Sequence, residues 1–152
     1  MPQLPRPHNH EVTILLAEDD PGHALLIERN LRRANVTNEI VTVGDGQAAL
    51  DYLATQGERG PGRHPLPILV LLDLNLPVLD GYQVLQRMKA AERTKRIPVV
   101  ILTTTDDPRE VARCYGLGCS VFITKPVDYE RFSEAVRQLG LFLSVVTIPD
   151  RE

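Results

Sequence analysis

Short apolar runs of strand length alternate along the chain with longer stretches in which apolar residues recur every three or four positions. Val12 to Ala17 (VTILLA) is the first run, continuous and rich in β-branched residues, as in a strand buried on both faces. It ends in Glu18, Asp19, Asp20 and Pro21, and an aspartate before a proline marks an N-cap and a first helical turn. The spacing predicts a helix through Leu25, Leu26, Leu31 and Ala34. Glu39 to Val43 alternates as a second strand, Gly44-Asp45-Gly46 breaks it, and Ala48, Ala49, Tyr52 and Leu53 outline a second amphipathic helix. Gln56 to Pro67 (QGERGPGRHPLP) is loop by composition and long for a connection.

The same alternation continues to the C-terminus. Ile68 to Leu72 is the third strand, and Val78 to Ala91 the third helix, with Val84, Leu85 and Met88 inward. Pro98 to Leu102 is the fourth strand, with proline at its first residue, where it is tolerated. Asp107-Pro108 opens a short fourth helix that ends at Gly116 to Gly118; Ser120 to Ile123 is the fifth strand, and the fifth helix starts at Asp128. Five strands alternating with five helices predict an α/β fold, a parallel sheet covered on both faces. Ligands of such sheets sit beyond the carboxyl ends of the strands.

The strand ends carry the candidate chemistry. Strand one ends in Glu18 and Asp19, strand three in Asp73, strand four in Thr103, and strand five in Thr124 and Lys125. Two carboxylates about 4 Å apart repel by roughly 4 kcal/mol at an effective dielectric near 20, so three of them need more countercharge than one lysine. Hard oxygen ligands suit Mg²⁺, which keeps several waters and binds through one or two carboxylates plus phosphate oxygens. An ionised aspartate beside such an ion can act as a nucleophile, with Thr103 and Lys125 suited to the new phosphoryl oxygens. Asp20 is read as the helix cap, Asp80-Gly81 as turn chemistry, and the register to Lys125 selects Thr103 over Thr104 and Thr105.

Composition narrows the partners. The 152 residues carry a formal charge of -3, whereas nucleic-acid binding needs a dominant basic patch. The N-terminus MPQLPRPHNH has no apolar core and no run approaches the roughly 20 apolar residues of a spanning helix, so no membrane association and a cytoplasmic location are expected. Cys114 and Cys119 make neither a CxxC pair nor a metal spacing and are read as free thiols. His8 and His10 are read as solvated tail.

In this order and at these strand ends, the residues resemble the receiver domains of two-component response regulators, from about Val12 to Leu139. The elements are the acidic pair Glu18-Asp19, Asp73 followed by Pro77 and Asp80-Gly81, then Thr103, then Lys125-Pro126. The resemblance implies a doubly wound (βα)5 flavodoxin-like fold with strand order 2-1-3-4-5. It implies a phosphoacceptor at Asp73 and Mg²⁺ held by Asp19, Asp73 and the Asn75 backbone carbonyl, with Glu18 acting largely through water. Thr103 and Lys125 would contact the phosphoryl group, Phe122 would be the switch aromatic, and Lys125-Pro126 would be cis. The competing reading of Phe122 is a core aromatic of the fifth strand.

A narrower resemblance, to the single-domain regulators paired with bacterial phytochrome histidine kinases, rests on the long loop and on the tail LFLSVVTIP, Leu141 to Pro149. It implies a sensor histidine kinase as partner and, with no DNA-binding domain following, no transcriptional output by this chain alone. Residues 1–10 are expected to be a disordered tail, 11–140 the receiver domain, and 141–152 an extension of helix five. Tyr129, Phe132, Val136, Leu139, Phe142, Leu143 and Val146 form a long apolar surface of the kind that marks interfaces. A homodimer through helix four, strand five, helix five and the tail is expected. Two other functions compete. A phosphatase with an aspartyl nucleophile wants a second carboxylate two residues on as general acid, where this chain has Asn75; a phosphorylation-independent docking module needs none of the strand-end residues.

Overall fold

In the computed structural model, residues 12–56 and 68–138 are described. The expected N-terminal tail, most of the Gln56 to Pro67 loop and the C-terminal extension lie outside these residues, as do Leu139, Phe142, Leu143 and Val146. Strand β1 is Thr13–Ala17, followed by α1 (Pro21–Arg33), β2 (Ile40–Val43), α2 (Gly46–Gln56) and β3 (Ile68–Asp73). Helix α3 (Gly81–Ala90), β4 (Val99–Thr103), α4 (Pro108–Gly116), β5 (Val121–Thr124) and α5 (Tyr129–Gln138) complete the order. The five strands form one parallel sheet in the order β2-β1-β3-β4-β5, as the resemblance implies.

Because successive strand residues face opposite sides, each continuous apolar run serves two cores. Ile14, Leu16, Leu69, Leu71, Val100, Leu102, Val121 and Ile123 pack with Ala24, Ile27 and Leu31 of α1 and Phe132 and Ala135 of α5. Leu15, Ala17, Val70, Leu72, Val99 and Ile101 pack with Ala49 and Leu53 of α2, Val84, Leu85 and Met88 of α3, and Cys114 of α4. Both cysteines are free and buried, and burial pushes the Cys119 thiol up to about 12.

The structure corrects two sequence expectations. The inward stripe of α1 is Ala24, Ile27, Leu31 and Ala34, while Leu25 and Leu26 are half exposed; helical spacing fits the observed stripe better than the one built on the two leucines. The third helix starts at Gly81, not Val78. Asp80 is its N-cap and exchanges hydrogen bonds with Gln83, a capping box. Val78 instead sits at φ 69, and the Leu79 N–H donates across it to the Pro77 carbonyl at 2.8 Å, a strained three-residue turn.

The loop after β3 is held by close backbone approaches. The Gly46 N–H donates to the Pro77 carbonyl at 3.2 Å, and a Cβ on Gly46 would overlap the Leu79 carbonyl. A Cβ on Gly81 would lie 2.5 Å from the Asp73 carbonyl oxygen. Gly46→Ala is expected to destabilise the fold by about 2 kcal/mol, since overpacking against backbone outweighs the gain in helix propensity. Gly44 has open space around it, so Gly44→Ala should stay within about 0.5 kcal/mol of wild type. Urea unfolding of both variants measures the contrast.

Candidate functional site

The sheet ladder runs one residue past the ends of three strands. Glu18 N–H donates to the Val43 carbonyl at 3.0 Å, Leu74 N–H to Leu102 at 3.2 Å, and Lys125 N–H to Thr103 at 2.7 Å. Alternation therefore persists to these residues. Glu18 follows the parity of Ile14 and Leu16, Asp73 that of Leu69 and Leu71, and Lys125 that of Val121 and Ile123, all on the α1 and α5 side. Three side chains from β1, β3 and β5 thus meet on one face at one edge.

They meet in direct contact. Lys125 Nζ donates to Glu18 Oε1 at 2.6 Å and to Asp73 Oδ2 at 3.0 Å. The side chains of Glu18, Asp73 and Lys125 are only 1%, 5% and 11% exposed. Asp19 is exposed, yet one of its carboxylate oxygens lies within 4.8 Å of oxygens of both Glu18 and Asp73. Burial pushes Glu18 above its ordinary range, with Asp73 adding to the effect and Lys125 opposing it. Burial alone would lower the Lys125 ammonium, but its hydrogen bonds to Glu18 and Asp73 outweigh that and hold it above its ordinary range. Three carboxylates gather beside one lysine, which donates to two of them, and their donor set is all oxygen. That set fits a hard divalent cation such as Mg²⁺.

The remaining candidates are arranged around this centre. Thr103 is buried, and its hydroxyl accepts from the Thr105 N–H at 3.3 Å. Asn75 donates its backbone N–H to Asp73 Oδ1 at 3.0 Å. Phe122 pairs in register with Ile101 and is half buried against the α2, α3 and α4 core. The Lys125-Pro126 bond is cis, as the resemblance implies. Asp20 caps α1 by accepting from the Gly22 and His23 N–H groups. One neighbour escapes the sequence reading: His23, whose Nδ1 lies 3.3 Å from Lys125 Nζ. Its place in the first helical turn, after an Asp-Pro cap at the end of an acidic strand, is the one sequence signal that points to it.

The raised Glu18 has a measurable consequence. In the unfolded chain Glu18 titrates near its ordinary 4.5, while in the metal-free fold it keeps its proton to higher pH. The folded state then binds more protons than the unfolded state, so stability falls as pH rises through the window opening at 4.5. Glu18→Gln removes this ionisation and keeps an acceptor for Lys125. In chelator-containing buffer, its urea midpoint is expected to gain on wild type as pH rises from that value toward neutrality. A constant difference between the two proteins would contradict the assignment.

Comparison with known proteins identifies the family. The family described as "Response regulator receiver domain" matches residues 14–137. A crystal structure of a response regulator receiver domain from Rhodospirillum rubrum is 55% identical, with 92% of this chain and 99% of that one covered and a TM-score of 0.68. The bacteriophytochrome response regulator AtBRR is 39% identical, with 92% and 97% covered and a TM-score of 0.74. Response regulator Rcp1 of Synechocystis sp. (strain ATCC 27184 / PCC 6803 / Kazusa) is 37% identical over 93% of this chain and 95% of its own length. Its Mn²⁺-bound crystal form covers 91% of this chain and 99% of that one, at 35% identity and a TM-score of 0.67. This chain, with its acidic edge closed by Lys125, belongs to the response regulator receiver domains and is of the type represented by the phytochrome response regulators.

Proposed function

We propose that Asp73 is the phosphoacceptor of a two-component relay, taking a phosphoryl group from a sensor histidine kinase. The observation that carries this reading is Asp73 itself, a buried carboxylate with one oxygen on Lys125 and the other on the Asn75 N–H. In the transfer an Asp73 oxygen bonds to phosphorus as the bond from phosphorus to the kinase imidazole nitrogen breaks. That nitrogen keeps the electron pair, and an acyl phosphate remains on Asp73. Glu18, Asp19, Asp73 and the Asn75 backbone carbonyl would hold Mg²⁺, and Rcp1, crystallised with Mn²⁺, supports a divalent ion in such a site. When bound, the ion supplies charge that offsets the carboxylates and the incoming phosphoryl oxygens.

Lys125 supplies the second countercharge from within the protein. It already touches Asp73, so its ammonium can pass to a phosphoryl oxygen by a small shift. The Thr103 hydroxyl contributes a hydrogen bond, and its movement toward the phosphoryl group would free space for Phe122 to turn inward. The protein is then a signalling switch, not a turnover enzyme. Similarity to AtBRR supports a bacteriophytochrome as the kinase. The half-exposed Leu25 and Leu26 of α1 offer that partner an apolar contact. Among the described residues no helix is long and apolar enough to cross a membrane.

Acetyl phosphate with Mg²⁺ is expected to label the protein with an acid-stable, base-labile phosphate, and Asp73→Asn to abolish labelling. Label retained by Asp73→Asn would move the acceptor elsewhere, and an unlabelled wild type would favour the docking module. The switch is further proposed to act as a homodimer through α4, β5, α5 and the C-terminal extension. A groove of about 610 Å³ runs along β5 and α5, with Phe122, Asp128, Arg131 and Glu134 in its wall. Sedimentation should show a dimer for the full chain and a monomer after truncation at Leu139; the same state in both would exclude the tail's part.

A further inference from the structure

We propose that His23 is a positioning residue for Lys125, holding its ammonium toward the solvent side of the site, where a phosphoryl group arrives. The inference rests on the phosphoacceptor reading of Asp73, but its geometry stands apart from it. His23 is the third residue of α1, its backbone fixed by the N–H that donates to Asp20 Oδ1 at 3.1 Å. Its ring turns back over the helix start. Nδ1 then lies 3.3 Å from Lys125 Nζ and Nε2 3.9 Å from Asp20 Oδ2.

An ammonium has three N–H donors and no acceptor, so Nδ1 must be the accepting nitrogen and the ring proton sits on Nε2, toward Asp20. All three Lys125 hydrogens are then used, on Glu18, Asp73 and His23. These partners differ in depth and charge. Glu18 and Asp73 are buried carboxylates, whereas the His23 side chain is 49% exposed and offers an imidazole nitrogen, 3.8 Å from Glu18 Oε2. Two buried carboxylates alone would draw the ammonium inward. The imidazole pulls it the other way, and among the three acceptors it alone is not a carboxylate of the reacting cluster.

His23 therefore remains a fixed point while the Asp73 carboxylate becomes an acyl phosphate. Without the imidazole acceptor, Lys125 settles on Glu18 and Asp73 and meets the incoming phosphoryl oxygens late. Asparagine can place an acceptor near the position of Nδ1; leucine cannot. His23→Leu is expected to slow labelling by acetyl phosphate about tenfold, the effect typical of removing one hydrogen bond to a charged group. His23→Asn should recover to within about twofold of wild type on the same scale.

A second readout does not depend on phosphorylation. In ¹⁵N spectra of the metal-free protein, the His23 ring should show the tautomer protonated at Nε2, with the Nδ1 resonance moving when Lys125 is replaced in Lys125→Met. A proton on Nδ1, or a resonance indifferent to Lys125→Met, overturns the proposal. So does wild-type labelling by His23→Leu, or His23→Asn as slow as His23→Leu. If the wild-type protein takes no label, the reading of Asp73 fails instead, and the ring spectrum still decides whether His23 accepts from Lys125.

Discussion

Everything at the carboxyl edge of the sheet depends on one ammonium group standing between two buried carboxylates. Glu18 and Asp73 are almost fully covered, and two such charges near 4 Å would repel by roughly 4 kcal/mol. Lys125 turns that repulsion into two charge-assisted hydrogen bonds. The arrangement makes demands on the fold that carries it. β5 is two strands from β3, about 10 Å at the usual strand spacing, so only a long side chain leaving β5 at the right parity can cross the end of β4. A shift of one residue in the β4 to β5 register would turn Lys125 to the other face.

The backbone around Asp73 is fixed by comparably tight constraints. Asp73 is the last residue of β3, and the chain returns at once so that Gly81 packs on the Asp73 carbonyl and its N–H reaches Leu74. Between them the Pro77 carbonyl accepts from both Leu79 and Gly46, tying the loop to the start of α2. Val78 takes the cost. A β-branched residue at φ 69 is disfavoured by roughly 1–2 kcal/mol, and at 73% exposed it has no packing of its own to offset this. The surrounding hydrogen bonds impose that conformation on the loop.

Much of this is legible in the sequence because burial on both faces makes strands conspicuous. The runs ending at Ala17, Leu72, Leu102 and Ile123 can be found without knowing their neighbours, and Glu18, Asp73, Thr103 and Lys125 after them stand out against apolar surroundings. Less legible is anything decided between elements. A local reading mistakes the face of α1 because leucine outweighs alanine in any local measure, yet the sheet surface accepts Ala24 and Ile27 and leaves Leu25 and Leu26 outside. Val78 reads as helical because its conformation comes from Pro77, Leu79 and Gly46 acting together. His23 is hidden as a site residue: its approach to Lys125 spans 102 positions of sequence, and no spacing rule connects them.

The groups around Asp73 also bear on why the proposed chemistry would stop at a stored phosphoryl group. A phosphatase must protonate a leaving group and activate water, and the position two residues after the nucleophile commonly supplies the acid. Here that residue is Asn75, and what it offers Asp73 is a backbone N–H. The other group on the carboxylate is an ammonium held above its ordinary range by Glu18 and Asp73, so it yields a proton less readily than a free lysine does. Both donors stabilise negative charge without transferring a proton. In the proposed reading, such a site would hold an acyl phosphate without a dedicated acid for its rapid breakdown, and Thr103 and Phe122 would convert the time the phosphoryl group spends on Asp73 into a change of shape.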